Sequence, residues 1–268
     1  MTSALQRFLM TIYAVAKASG LLDSSSGKWI FRRAYFTYKR WLEPTPLVLR
    51  GYIEPGCWVV DVGSNLGFYT LLFSRWVSGA GKVVSIEPAA DNYAELESMI
   101  SLEGLTGKVI AVQAVASELN GQLRLKLNPK SHADHRIADS GVDTRSVQLD
   151  TLLAHHGKPR VSLVKIDVQG AEPRVLLGSL ATLREFAPAV YMEVDDRALR
   201  ESGSSAVELI DWMRDLGYAV HAVSGKNLSH ALSNEDIFVG LRKLGYADFL
   251  FLFTGRPAVD AATQHRPI

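Results

Sequence analysis

Short hydrophobic runs alternate along this chain with longer stretches whose apolar residues fall at helical spacing. Cys57 to Val62 is apolar and β-branched, broken only by Asp61, which suits a strand covered on both faces. Phe68 to Trp76 follows as an apolar helical pattern. Lys82 to Glu87 reads as a second strand and Val109 to Ala116 as a third. Between them lies a helix from about Asp91 to Leu102, with Tyr93, Leu96, Met99 and Ile100 facing inward. Val161 to Asp167, Ala189 to Val194 and Tyr218 to Val223 continue the strands. Helices from Glu172 to about Leu183 and from Ala206 to Leu216 separate these strands, and Gly217 suits the second as a C-cap. Asp248 to Phe253 is a last, apolar strand. Strands alternating with helices predict an α/β fold: a mostly parallel sheet with helices on both faces.

Other stretches depart from that plan. Asn120-Gly121 predicts a hairpin between Val115–Ser117 and the alternating Gln122–Leu127. Asn128 to Thr144 is polar and irregular, holds His132, Asp134, His135, Arg136 and Asp139, and reads as a loop able to close over a site. Val147 to Leu153 reads as a short strand, with Asp150 as N-cap of the next helix. Gly225 to Leu244 reads mostly as loop. Ahead of the core, Leu5, Phe8, Leu9, Ile12 and Val15 share one face of an amphipathic helix within Met1–Leu22. Three readings fit that helix: packing on the domain, which is the simplest, pairing with a second subunit, or lying on a membrane surface. Lys28 to Leu42 interleaves Trp29, Phe31, Tyr35, Phe36, Tyr38 and Trp41 with Arg32, Arg33, Lys39 and Arg40. A helix with an aromatic inner face and a basic outer face accounts for it; a surface that stacks on bases or a sugar is the alternative. The expected organisation is an N-terminal helical extension over 1–51, one catalytic domain over 52–254 and a flexible tail over 255–268.

Composition narrows the partners. The formal net charge of +1 over 268 residues argues against nucleic acid, whose binders carry a basic excess. Cys57 is the only cysteine, so no intrachain disulfide forms, and a reducing, cytoplasmic setting is expected. No run has the length of a membrane span. Phe8 to Ala16 faintly resembles a leader, but Thr11 and Tyr13 break it.

The chemistry concentrates between Val59 and Thr70. A strand ends there in Asp61, and Gly63 and Gly67 then allow a tight turn and close approach of a ligand. A dinucleotide loop reads G-x-G-x-x-G and presents a helix N-terminus to phosphate. Here Asp61 would repel a phosphate and suit a cationic group. The pattern D-x-G-x-x-x-G resembles motif I of the class I S-adenosylmethionine (SAM) methyltransferases. Glu87 ends the next strand, where an acid can accept both hydroxyls of a ribose. Asp61, Glu87, Asp167 and Glu193 all fall at predicted strand ends, where ligands of such sheets bind.

Four segments then resemble the FkbM-type methyltransferases: Val60 to Thr70, Ser85-Ile86-Glu87-Pro88, Leu149-Asp150-Thr151-Leu152, and Val164-Lys165-Ile166-Asp167-Val168-Gln169-Gly170-Ala171-Glu172. Asp134-His135-Arg136-Ile137 looks like a piece seen in some members. The K-I-D-x-x-G-x-E element is the specific part, and Gln169 stands where the family often has Glu. The resemblance implies a class I, Rossmann-like methyltransferase fold and a SAM-dependent O-methyltransferase acting on a hydroxyl of a sugar, glycolipid or secondary metabolite. It implies cofactor contacts from Asp61, toward the methionine ammonium, from Gly63, Ser64, Asn65, Gly67 and Tyr69, and from Glu87 on the ribose. An alcohol is a poor nucleophile while protonated, so a base is needed. Asp167 is the first candidate and His135 the second. Lys165 would orient Asp167 or bind a substrate oxygen, and Glu172 and Glu193 would contact the acceptor. No metal belongs to this reading; a metal-assisted variant on Asp167, Glu193 and His135 is one alternative. A catalytically silent SAM- or nucleotide-binding protein is another.

Overall fold

The computed structural model describes residues 47–128, 135–224 and 227–255, with a few positions between 27 and 37. The Met1–Leu22 helix, most of the aromatic and basic segment, His132 and Asp134, and the tail beyond Gly255 lie outside the described residues. The chain divides into two units, Met1–Leu47 with Ser224–Lys226, and Val48–Val223 with Asn227–Ile268. The site lies in the second.

The apolar runs become the strands β1 (Trp58–Val62), β2 (Val83–Ile86), β3 (Val109–Val112), β8 (Val161–Ile166) and β9 (Ala189–Asp195). Every residue of β2 and β8 is buried, as expected of strands covered on both faces. With β10 (Tyr218–Ser224), β11 (Asn227–Leu228) and β12 (Tyr246–Phe253) they form one eight-stranded sheet, ordered β11-β10-β12-β9-β8-β1-β2-β3. The pairs β1–β2, β2–β3, β1–β8 and β8–β9 are parallel. β12 runs antiparallel to both β9 and β10, so the sheet is mixed. The chain winds outward from β1 through β2 to β3, then restarts at β8 on the other side of β1. That reversal is the switch point, where ligands of such sheets bind beyond the strand carboxyl ends.

The helices are α1 (Phe68–Trp76), α2 (Ala90–Leu102), α3 (Leu149–His155), α4 (Glu172–Leu177), α5 (Leu180–Phe186), α6 (Asp196–Glu201), α7 (Ala206–Asp215) and α8 (Asn234–Leu244). α1 lies against β1 and β2, and α2 against β3. The core joins Val60, Val84, Val164 and Val190 of the strands to Leu152, Leu176, Leu183, Leu209 and Ile210 of the helices.

Several local expectations are corrected. The third strand is two: β3 joins the large sheet, while β4 (Val115–Ala116) joins a small sheet ordered β4-β7-β5-β6. Its other members are β5 (Gly121–Lys126), β6 (Arg136–Ile137) and β7 (Val142–Val147). β4 pairs with β7, not β5, so Asn120-Gly121 makes no hairpin. Asn120 instead fastens the start of α3: its amide donates to Gln148 Oε1 and Thr151 Oγ1, each at 3.0 Å, and its oxygen accepts from Gln148 N–H at 2.9 Å. Val147 to Leu153 is the end of β7 and most of α3 rather than a strand. Asp150 sits inside α3 and caps a different helix, accepting from the backbone N–H groups of Ala181 and Thr182 at 2.8 and 2.9 Å. The helix after Glu172 divides into α4 and α5 around Gly178, where a Cβ would stand 2.0 Å from the Ser117 carbonyl oxygen. Gly225 to Leu244 holds β11 and α8, the latter opened by a Ser233–Asp236 capping box.

Candidate functional site

One cross-strand row organises the switch point. Ser85 on β2 is level with Asp61 on β1, Asp61 with Lys165 on β8, and Lys165 with Tyr191 on β9. Side chains alternate along a strand, so Glu193, two positions on in β9, returns to the same face and starts a second row with Asp167, which follows β8 and meets Lys165. Asp248 of β12 is level with Glu193 and extends this second row.

The glycine loop grows directly out of β1. Gly63 (φ 74°) and Gly67 (φ 87°) adopt left-handed backbone, and a Cβ on Gly63 would lie 2.0 Å from the Asp167 carbonyl oxygen. The N–H groups of Gly63 and Ser64 donate to the Ile86 carbonyl at 3.0 and 3.1 Å. Ser64 is buried, and its hydroxyl donates to the Asp61 carbonyl at 2.8 Å. The N–H of Asn65 donates to Glu87 Oε2 at 2.9 Å. The other oxygen of Glu87 accepts from Ala89 N–H at 3.0 Å and from the Asn92 amide at 3.2 Å. Burial pushes the Glu87 carboxyl above the usual range, against the pull of these donors.

Beneath the loop, Asp61 is fully buried. Its carboxylate accepts from Thr70 Oγ1 at 2.7 Å and pairs with Lys165 Nζ at 3.3 Å, and Thr70 Oγ1 also meets Ser85 Oγ at 2.8 Å. The partners of Asp61 therefore lie inside the protein. Lys165, itself buried, donates to the Gly63 carbonyl at 3.0 Å and lies 3.4 Å from Asp167 Oδ2. Its ammonium sits 5.2 Å from the centre of the Tyr69 ring. One cation thus ties the loop, the acid below it and the acid beyond β8.

The outer row is rich in acid. Asp167 is 39% exposed at its side chain. Glu193 is pushed up to about 8, first by burial and then by the charges of Asp167, Asp248 and Glu172, with Lys165 opposing. The Gln169 amide donates to Glu193 Oε1 at 3.1 Å. Glu172 is buried and pushed up to about 7, chiefly by burial, with Asp167 adding to the shift. Its Oε1 accepts from Gly170 N–H at 3.1 Å, and its Oε2 has no hydrogen-bond partner among the described residues. Tyr191 is pushed well above the usual phenol range by burial, then by Tyr69 and Asp248.

The structure therefore gathers Asp61, Gly63, Lys165, Asp167, Glu172 and Glu193, with Ser64, Asn65 and Glu87 on the loop side. His135 stands beside β6, where its Nδ1 accepts from Asn128 N–H at 3.1 Å. The next residue, Arg136, pairs with Glu201 of α6. No three His, Cys, Asp or Glu side chains among the described residues are grouped to hold a metal ion. No helix among them is long and apolar enough to cross a membrane. Thr70, Ser85, Tyr191 and Asp248 also belong to the site; the motif segments contain Thr70 and Ser85 without giving them a role. Asp248 had one available signal, an acid opening an otherwise apolar strand.

Comparison with known proteins agrees with this architecture. The profile described as the methyltransferase FkbM domain matches residues 61–220, more than half of the chain. Methyltransferase sdnD of Sordaria araneosa is 29% identical over 154 residues, covering 45% of this chain and 59% of that protein. The hexuronic acid methyltransferase AglP of Haloferax volcanii is 27% identical over 126 residues, covering 46% of this chain and 50% of its own. The chain thus spans half to three fifths of the length of these relatives. Among solved structures, the methyltransferase FkbM from Methylobacillus flagellatus superposes with a TM-score of 0.51 at 14% identity, over 75% of this chain and 44% of that one, a likeness of fold.

Proposed function

The chain belongs to the FkbM methyltransferase family, and we propose that it transfers a methyl group from SAM to a hydroxyl of a sugar or secondary metabolite. The observation that carries this reading is the joining of the glycine loop to the outer acids through Lys165, which bonds the Gly63 carbonyl and pairs with Asp61 and Asp167. A cofactor loop and a proton-accepting row are thereby held at fixed spacing. The residues fit the cofactor. Gly63 and Gly67 let the loop turn left-handed and pack against Asp167 and against Leu96 and Met99, and Glu87 follows β2, the strand next to β1. Two backbone donors and the Asn92 amide orient the Glu87 carboxylate, whose remaining lone pair, on Oε2, can take a ribose hydroxyl. Asp61 acts from below, setting Lys165 and the loop, and Tyr69 lies over that lysine.

SAM, when bound, supplies a methyl group already activated on a sulfonium. The chain's task is to align the acceptor oxygen, exclude water and take its proton. Asp167 and Glu193 are the candidates for taking that proton, and the Glu172 charge adds to the proton affinity of Glu193. A sugar acceptor gains support from the relative named as a hexuronic acid methyltransferase.

The test is calorimetric titration with SAM and S-adenosylhomocysteine, on wild type and on Glu87→Gln, with circular dichroism to confirm folding. Saturable binding of both, weakened tenfold or more by the substitution, is expected. Folded wild-type protein that binds neither would sink the reading.

A further inference from the structure

The outer row holds more acid than its neighbouring lysine can match. Asp167 shares Lys165 with Asp61 at 3.4 and 3.3 Å. Glu193 forms no ion pair among the described residues. It has a neighbour on each of three sides. Gln169 donates to its Oε1 at 3.1 Å, Asp248 is level with it on β12, and Asp167 follows β8, the strand beside it. No hydrogen bond to its Oε2 is formed by the described residues. The turn that carries Gln169 has left-handed backbone at a non-glycine residue, φ 52°, and persists only where its surroundings dictate it. Gly170 behind it approaches α6 closely, since a Cβ there would lie 2.4 Å from the Ala198 carbonyl oxygen. The Gln169 amide is therefore held in place by the turn and aimed at Glu193.

We propose that Glu193 is the general base of the methyl transfer, with Gln169 as its positioning residue. This rests on the methyltransferase reading above. The acceptor's O–H bond breaks and its proton passes to Glu193 Oε2. The electron pair of that bond forms the new oxygen–methyl bond, and the pair of the broken carbon–sulfur bond stays with the departing thioether. A base serves best when its proton affinity lies near the working pH. Every element around Glu193 bears on that affinity. Asp167 after β8, Asp248 on β12 and Glu172 opening α4 raise it together with burial, and Lys165 on β8 lowers it.

The experiment pairs kinetics with a direct titration. Turnover of a hexuronic acid, the acceptor class named for one relative, is followed against pH for wild type, Glu193→Gln, Asp248→Asn and Gln169→Leu. Glutamate labelled with 13C at its carboxyl carbon is titrated by NMR in the same proteins. Glu193→Gln is expected to lose turnover a hundredfold or more with SAM affinity within twofold of wild type. It should also lose a carboxyl resonance that titrates near 8 in wild type. Asp248→Asn should move that resonance, and the rising limb of the rate profile, to lower pH. Gln169→Leu should move both upward. Glu193→Gln with wild-type turnover overturns the proposal, as does a profile unmoved in both Asp248→Asn and Gln169→Leu. Wild-type protein that binds no SAM instead overturns the parent reading, and this one with it.

Discussion

Removing the Lys165 ammonium leaves a buried carboxylate with one hydroxyl for company. Asp61 is fully buried, Lys165 is 4% exposed at its side chain, and their charged atoms stand 3.3 Å apart. At an effective dielectric constant of about 20 that separation corresponds to roughly 5 kcal/mol of attraction, offset by the desolvation of both groups. Lys165→Met strands Asp61 with Thr70 alone and is expected to cost about 3–5 kcal/mol. Asp61→Asn leaves Lys165 its contacts to the Gly63 carbonyl and Asp167, and should cost less, about 2 kcal/mol. The double variant replaces the pair by a neutral amide and a thioether of similar volume. Its loss should fall short of the sum of the single losses by about 2 kcal/mol. Equilibrium urea denaturation of the four proteins at pH 7.5 measures that coupling, provided the slopes agree. Losses that add to within about 0.5 kcal/mol would refute the reasoning, because an independent pair cannot be the clamp described above.

Two further expectations follow from single residues. The Glu172 carboxyl is raised from 4.5 to about 7 on folding, so its contribution is fully present below about 4.5 and is lost as pH rises toward 7. Glu172→Gln removes that slope and should gain on wild type by up to roughly 3 kcal/mol between pH 4.5 and 8; a stability difference that stays constant with pH contradicts this. Asp150→Ala uncaps α5 and should cost about 1–2 kcal/mol in thermal or urea unfolding while leaving SAM affinity within twofold, and an unchanged stability would show the cap to be idle.

The strand ends were legible because apolar runs bounded by acids and glycines leave little choice of register. Asp61, Glu87, Asp167 and Glu193 all reach the carboxyl ends of their strands. Their partners were less legible, since partners are fixed by pairing across the sheet. Asp61 read as an acid open to a cation, but the level of β1 against β8 sets it beside Lys165. Asp248 lies 55 residues beyond Glu193 in sequence (248 − 193), and only the antiparallel entry of β12 places it there. Asn120-Gly121 misled for a related reason. Local turn chemistry favours a hairpin, yet β7 pairs with both β4 and β5, and the Asn120 side chain is spent on Gln148 and Thr151. Asp150 showed the same limit, a capping side chain whose helix lies later in the chain.

β12 sits between β9 and β10, although it follows both in the chain. A ribosome releases the chain from its N-terminus, so β10 emerges before the strand it must pair with. Until Tyr246–Phe253 arrives, β9 is a bare sheet edge ending at Glu193 and Asp195, and β10, with its buried Tyr218 and Val220, has only the two-residue β11 beside it. The glycine loop and Lys165 can assemble early, within β1 to β9, whereas the wall that carries Asp248 closes last. A nascent chain halted before β12 would therefore hold half a site and an open sheet edge, the kind of intermediate that chaperones shield.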